Sequence, residues 1–83
     1  MSAQKQEKST IRKYMENRKE YVGEDKFIDW MEEVEIIVIK SINFGLLDLP
    51  DELYRDNFDK KVTPLKMADN VIKNYKESVD ALF

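Results

Sequence analysis

The sequence predicts an all-α fold, a compact bundle of three main helices plus one short connecting helix. Three observations point there. Apolar residues recur at helical spacing in three long segments. The breaks between segments hold residues that stop or start helices: Gly23, then Asn43 with Gly45, then Thr63-Pro64. Between the last two breaks lies 46–58, LLDLPDELYRDNF, which reads as the corner between two strongly helical stretches.

Residues 1–8 are polar and predict a flexible N-terminus, leaving 9–83 as a single helical domain. Ser9 or Thr10 is the natural cap of a first helix that runs to Gly23. Its inward residues would be Ile11, Tyr14, Met15, Tyr21 and Val22, and its solvated face Arg12, Lys13, Glu16, Asn17, Lys19 and Glu20. Glu24 and Asp25 open the second helix, where acidic groups complement the N-terminal dipole. Phe27, Trp30, Met31, Val34, Ile37, Val38 and Ile42 form its apolar stripe, with Glu32, Glu33, Glu35 and Lys40 on the solvated side. Its Val34–Ile39 segment is rich in β-branched residues and alone favours a strand, but the flanking WMEEVE and the periodicity through Ile42 decide for helix. Ile36 and Ile39 widen the apolar surface, as fits a helix buried on two sides or packed on a second copy. A short helix is expected from about Pro50 to about Asn57, capped at Asp48 or Leu49, with Leu53, Tyr54 and Phe58 inward. Thr63 as cap and Pro64 in the first turn start the last helix, which turns Leu65, Met67 or Ala68, Val71, Ile72, Tyr75, Val79 and Leu82 inward.

Composition narrows the chemistry. The 83-residue chain has no cysteine, so neither a disulfide nor a Cys-type zinc site is available. It has no histidine, the commonest general base and metal ligand. No apolar run reaches membrane-span length and no signal-peptide core is visible, which predicts a cytoplasmic protein. The net charge of −3 is unevenly spread. Residues 1–19 carry +4, residues 24–59 carry −8, and the segment from Lys60 carries +2.

The motif L-D-L-P-D-x-x-Y-R-D-x-F-D at 47–59, followed by T-P-x-x-M-A and preceded by W-x-x-x-V, resembles a group of small proteins from bacteria, plasmids and phages. The matching positions are Trp30, Val34, Asp48, Leu49, Pro50, Asp51, Tyr54, Arg55, Asp56, Phe58, Thr63, Pro64 and Ala68, within roughly residues 27–75. The resemblance implies a small all-helical domain and carries no established activity. Members often have glycine just before the Ser/Thr-Pro, where this chain has Lys60, Lys61 and Val62, so a different turn is expected.

Among possible sites, Tyr54-Arg55-Asp56 stands first. Arg55 is placed to pair with Asp51 or with a carboxylate on a facing helix, and Tyr and Arg dominate binding hot spots. The structural role, pinning the corner, is the commoner one. Asp51, Glu32 and Glu35 complete the candidate partner-binding set. The acids Asp48, Asp51, Glu52, Asp56 and Asp59 lack the glycine-turned ligand spacing of a calcium loop, so no metal and no cofactor is expected. Trp30 is read as core. Lys5, Lys8, Arg12, Lys13, Arg18 and Lys19 could follow a phosphate backbone, but acidic interruptions and the lack of a nucleic-acid-binding motif favour a solvated face. The expected function is therefore a non-enzymatic interaction protein, a phage-like or mobile-element accessory that binds a bacterial or phage protein, with a homodimer possible. A nucleic-acid-binding helix at Lys8–Lys19, an acidic nucleic-acid mimic and a self-assembling subunit are the alternatives.

Overall fold

The computed structural model describes residues 9–82, with side chains through Ala81. The order is α1 (Thr10–Glu16), a 3-10 turn (Lys19–Tyr21), α2 (Asp25–Ile42), a 3-10 turn (Leu46–Asp48), α3 (Tyr54–Asp59) and α4 (Pro64–Leu82). Among the described residues there is no strand, and no helix is long and apolar enough to cross a membrane. The fold is the expected all-α bundle, organised on α2, against which α1, α3 and α4 all pack.

The core takes most of the predicted stripe of α2, with Ile37 and Ile42 only partly buried and Ile28, outside the predicted stripe, buried as well. Phe27, Trp30, Met31, Val34 and Val38 are buried, together with Ile11 and Met15 of α1 and Met67, Ala68 and Val71 of α4. Val34–Ile39 is helical, as the flanking pattern required, because burial of one face outweighs local β-propensity. Asn43 ends α2 in the left-handed conformation, φ 65°, with its N–H donating to the Ile39 carbonyl. At the other end of the chain, the Thr63 hydroxyl accepts from Lys66 N–H, so the predicted Thr-Pro start of α4 is realised.

The loop after α3 answers the turn question raised by Lys60-Lys61-Val62. Val62 N–H donates to Asn57 O and Lys61 N–H to Phe58 O, the paired bonds of a Schellman closure. Lys61 takes φ 66°, the left-handed region that glycine favours.

Several expectations are corrected. The first helix stops at Glu16 rather than continuing to Gly23. Asn17, a poor helix-interior residue, donates its N–H to Met15 O, and the chain resumes as a 3-10 turn before Gly23 bends it at φ 82°. Tyr14, within α1, and Val22, beyond its end, are exposed rather than inward, Val22 at 79%. The connecting helix begins at Tyr54, not Pro50, and its cap position is Leu53 rather than Asp48 or Leu49. Leu49 is extended at φ −114°, ψ 161°, as the residue before a proline prefers. The four residues after it form no helix, and Leu53, expected inward, is 70% exposed. Leu65 also faces outward, while Ile36 and Ile39 of α2 remain partly open. Glu35, assigned to the solvated side, is 1% exposed. Its two carboxylate oxygens accept from Ile11 N–H at 3.1 Å and Leu46 N–H at 3.2 Å. Both donors lie in first helical turns, where backbone N–H groups have no intrahelical partner, so a buried acid is satisfied without a cation.

One further cluster fixes α1 antiparallel to α2. Arg12 donates to Glu32 at 2.9 Å, to Glu16 at 3.3 Å and to Asp29. The Asp29 bond, followed by those of Glu32 and Glu16, holds its guanidinium protonated against the effect of burial. Burial pushes the Glu32 carboxyl upward, but hydrogen bonds from Ser9 and Arg12 outweigh it and hold it below the usual carboxylate range. A depressed folded-state value stabilises the fold above the unfolded-state pKa and loses that contribution as pH falls through the folded one. The thermal midpoint should therefore drop on acidification from about pH 4 downward. Arg12→Gln should flatten that part of a pH-resolved melting curve; an unchanged slope would show that the cluster does not carry it.

Candidate functional site

An open groove of about 560 Å³ lies between α1 with its following 3-10 turn, the start of α2, and the 46–55 segment. Core residues Met15, Phe27, Met31 and Leu46 reach its base, and Tyr14 and Tyr21 line it from the α1 side. Opposite them stand Leu47, 46% exposed, and Tyr54. Glu20, Asp51, Glu52 and Arg55 add the charged positions. The groove lies where α1 has ended at Glu16 and where 51–53, between Pro50 and α3, is not helical. Either predicted helix, had it formed, would have placed these walls differently.

Its charges are unequally matched. Arg55 bonds Glu24 at 3.0 Å and Asp59 at 3.4 Å, which keeps it firmly cationic, and lies over the Phe27 ring at 5.0 Å from the centroid. Arg18 sits over the Tyr14 ring at 5.0 Å and approaches Glu20 at 3.6 Å. Glu52 accepts from the neutral Asn74 amide at 3.1 and 3.2 Å, and among the described residues Asp51 has no ion pair. Negative charge is thus left over at Asp51 and Glu52.

The Tyr54 hydroxyl is buried and makes no hydrogen bond to a described protein atom. Burial, then the fields of Glu52, Asp51 and Glu35, push its ionisation well above the usual phenol value. Tyr21 is raised by burial and by Glu20 among other charges. Both phenols stay protonated at neutral pH, so the site offers aromatic faces, hydroxyls and carboxylates. Among the described residues no group of three or more Asp, Glu, His or Cys is placed to hold a metal ion.

Of the sequence-nominated residues, the fold brings Tyr54, Arg55 and Asp51 into this groove. Arg55 pairs with Glu24 and Asp59 rather than with Asp51. Asp56 is exposed on α3 outside it. Glu35 is withdrawn as a contact residue because it is buried and committed to two backbone donors. Glu32 is engaged with Arg12 and Ser9. In the basic set, Arg12 is held by three carboxylates and Arg18 is stacked on Tyr14, whereas Lys13 and Lys19 are exposed; Lys8 lies outside the described residues. Tyr14, Tyr21, Leu47 and Glu20 were not singled out as contact residues. The two tyrosines had been assigned to the core, and only the helix-breaking Asn17 between them hinted otherwise. No known protein family, curated protein or solved structure matches the chain.

Proposed function

We propose that this chain is a small non-catalytic docking protein, an accessory of the kind encoded by phages and mobile elements, that binds and modulates a bacterial or phage protein in the cytoplasm. The groove at 46–55 is the docking surface. The observation that carries this reading is an open concavity with core residues Met15, Phe27, Met31 and Leu46 at its base, flanked by exposed Tyr14 and Leu47 and by Tyr54 and Arg55. Tyrosine and arginine beside a concave apolar surface are the usual energetic centre of a protein interface. The absence of histidine and cysteine from the chain removes the common catalytic groups and supports a non-enzymatic role.

The test is capture from nuclease-treated bacterial lysate, followed by an affinity measurement on the purified pair. Leu47→Asp places a charge on an exposed groove position and should weaken binding about 30-fold or more. Lys13→Gln/Lys19→Gln should leave it unchanged. Binding that survives Leu47→Asp would overturn the groove as the docking surface. Recovery of nucleic acid alone, lost in the lysine variant, would overturn protein docking in favour of the basic first helix.

Ile36 and Ile39, partly exposed on α2, favour a second reading, self-association through that helix. Sedimentation of wild type against Ile36→Asp at micromolar concentration decides it: a dimer converted to monomer supports it, a monomeric wild type excludes it.

A further inference from the structure

The groove's own contacts point to the chemistry of its occupant. Two guanidinium groups of this chain already lie on aromatic rings that line it, Arg18 over Tyr14 and Arg55 over Phe27, each 5.0 Å from the centroid. The same cleft thus satisfies cation–π geometry twice within the protein. Two further rings in the groove, Tyr21 and Tyr54, have no cation over them among the described residues. Beside Tyr54 stand Asp51, with no ion pair among the described residues, and Glu52, whose partner is a neutral amide. Arg55 does not offset them, because Glu24 and Asp59 already meet its charge.

We propose that the groove accepts a lysine or arginine side chain from a short apolar-basic segment of the partner protein. The cationic head sits between the Tyr21 and Tyr54 rings and the Asp51 and Glu52 carboxylates, and the flanking apolar residue rests on Leu47 and the exposed edge of Tyr14. The proposal rests on the groove being the docking surface and adds what fills it.

Two features support it together. The aliphatic stem of lysine or arginine suits a surface of mixed apolar and polar lining, since such side chains bury the stem and keep the head among polar groups. The cation answers charge that the fold leaves unmatched. An acidic segment would meet Asp51 and Glu52 with like charge. A fully apolar one would leave both carboxylates partly desolvated without compensation.

The experiment titrates isotope-labelled full-length protein with three blocked tetrapeptides and follows backbone amide shifts. The peptides are acetyl-Leu-Lys-Leu-Arg-amide, its neutral analogue with norleucine and citrulline, and acetyl-Leu-Glu-Leu-Asp-amide. The basic peptide should shift the amides of Tyr21, Leu47, Asp51 and Tyr54 and bind roughly fivefold or more tightly than the neutral one. Raising salt from 0.1 M to 1 M, where the screening length falls from about 10 Å to about 3 Å, should remove most of that advantage. Asp51→Asn/Glu52→Gln keeps both side-chain shapes and an acceptor for Asn74, and should bring the basic peptide down to the neutral peptide's affinity. Equal or tighter binding of the neutral or acidic peptide in the groove overturns the cation inference and leaves groove docking standing. No groove shift with any of the three at millimolar concentration overturns both. The charge series on wild type decides the matter even where the double variant fails to fold.

Discussion

Glu35→Ala should destabilise the fold by about 2–5 kcal/mol, since two buried backbone donors lose their acceptor at about 1–3 kcal/mol each. That is a large share of the total, since a domain of this size is stable by roughly 0.05–0.15 kcal/mol per residue. The reason is topological. One side chain from the middle of α2 holds the first turn of α1, through Ile11 N–H, and the first residue of the Leu46–Asp48 turn, through Leu46 N–H. Alanine leaves both donors buried and unpaired and opens a cavity where the acid had been. Glu35→Gln is the sharper variant, because it keeps the volume. Its amide oxygen can serve one donor, but its NH2 then faces the other N–H, so a loss of about 1.5–3 kcal/mol is expected. Urea denaturation reads both. A Glu35→Gln protein within about 0.5 kcal/mol of wild type would show that the carboxylate does not bridge the two segments.

Gly45 belongs to the same device. A Cβ built there would stand 2.8 Å from Glu35 Oε2, so Gly45→Ala must push the carboxylate off Leu46 N–H. Its φ of −84° is ordinary for any residue, which makes the close approach, rather than backbone strain, the reason for glycine. The two effects should be non-additive: Gly45→Ala should cost clearly less in a Glu35→Ala background than alone.

Glu35 also marks where sequence reasoning stops. Helical spacing assigned α2 correctly through its β-branched half, and the Thr63-Pro64 start and the core position of Trp30 were legible because their causes are local. An acid on a helix is assigned to solvent by residue type alone. What buries Glu35 is a pair of orphan N–H groups 24 and 11 residues away along the chain, and periodicity contains no information about them. The break of α1 at Asn17 and the late start of α3 failed for a related reason. Asn17 and Pro50 signal that a helix is weak there, but whether it breaks depends on what its neighbours can bury. The groove inherits that non-locality. Tyr54, Arg55 and Asp51 were found from one short motif, while the facing Tyr14 and Tyr21 come from a segment whose pattern read as ordinary core.

The Trp30 contacts carry the second large effect. The ring packs with Phe27 at 6.1 Å and Phe58 at 5.6 Å between centroids, tying α2 to α3. Its indole N–H donates to Val62 O at 2.8 Å, the carbonyl just past the Schellman closure and just before the Thr63 cap. One residue therefore sets both the packing of α3 on α2 and the path of the chain into α4. Trp30→Ala should cost about 3–5 kcal/mol, the range for emptying a large aromatic site. Trp30→Phe retains most of the packing but strands Val62 O, and should cost about 1–3 kcal/mol. Circular dichroism at the helical band suits both variants, because substitution removes the chain's one tryptophan as a fluorescent reporter. A Trp30→Phe protein as stable as wild type would show the indole bond to be dispensable, leaving only ring packing at the corner. A cost below about 2 kcal/mol for Trp30→Ala would show that Phe27 and Phe58 collapse into the space. Trp30 does not line the groove, so folded Trp30→Phe should keep its partner affinity while losing stability. Leu47→Asp should do the reverse. That opposite pair of outcomes separates what holds the bundle together from what it binds with.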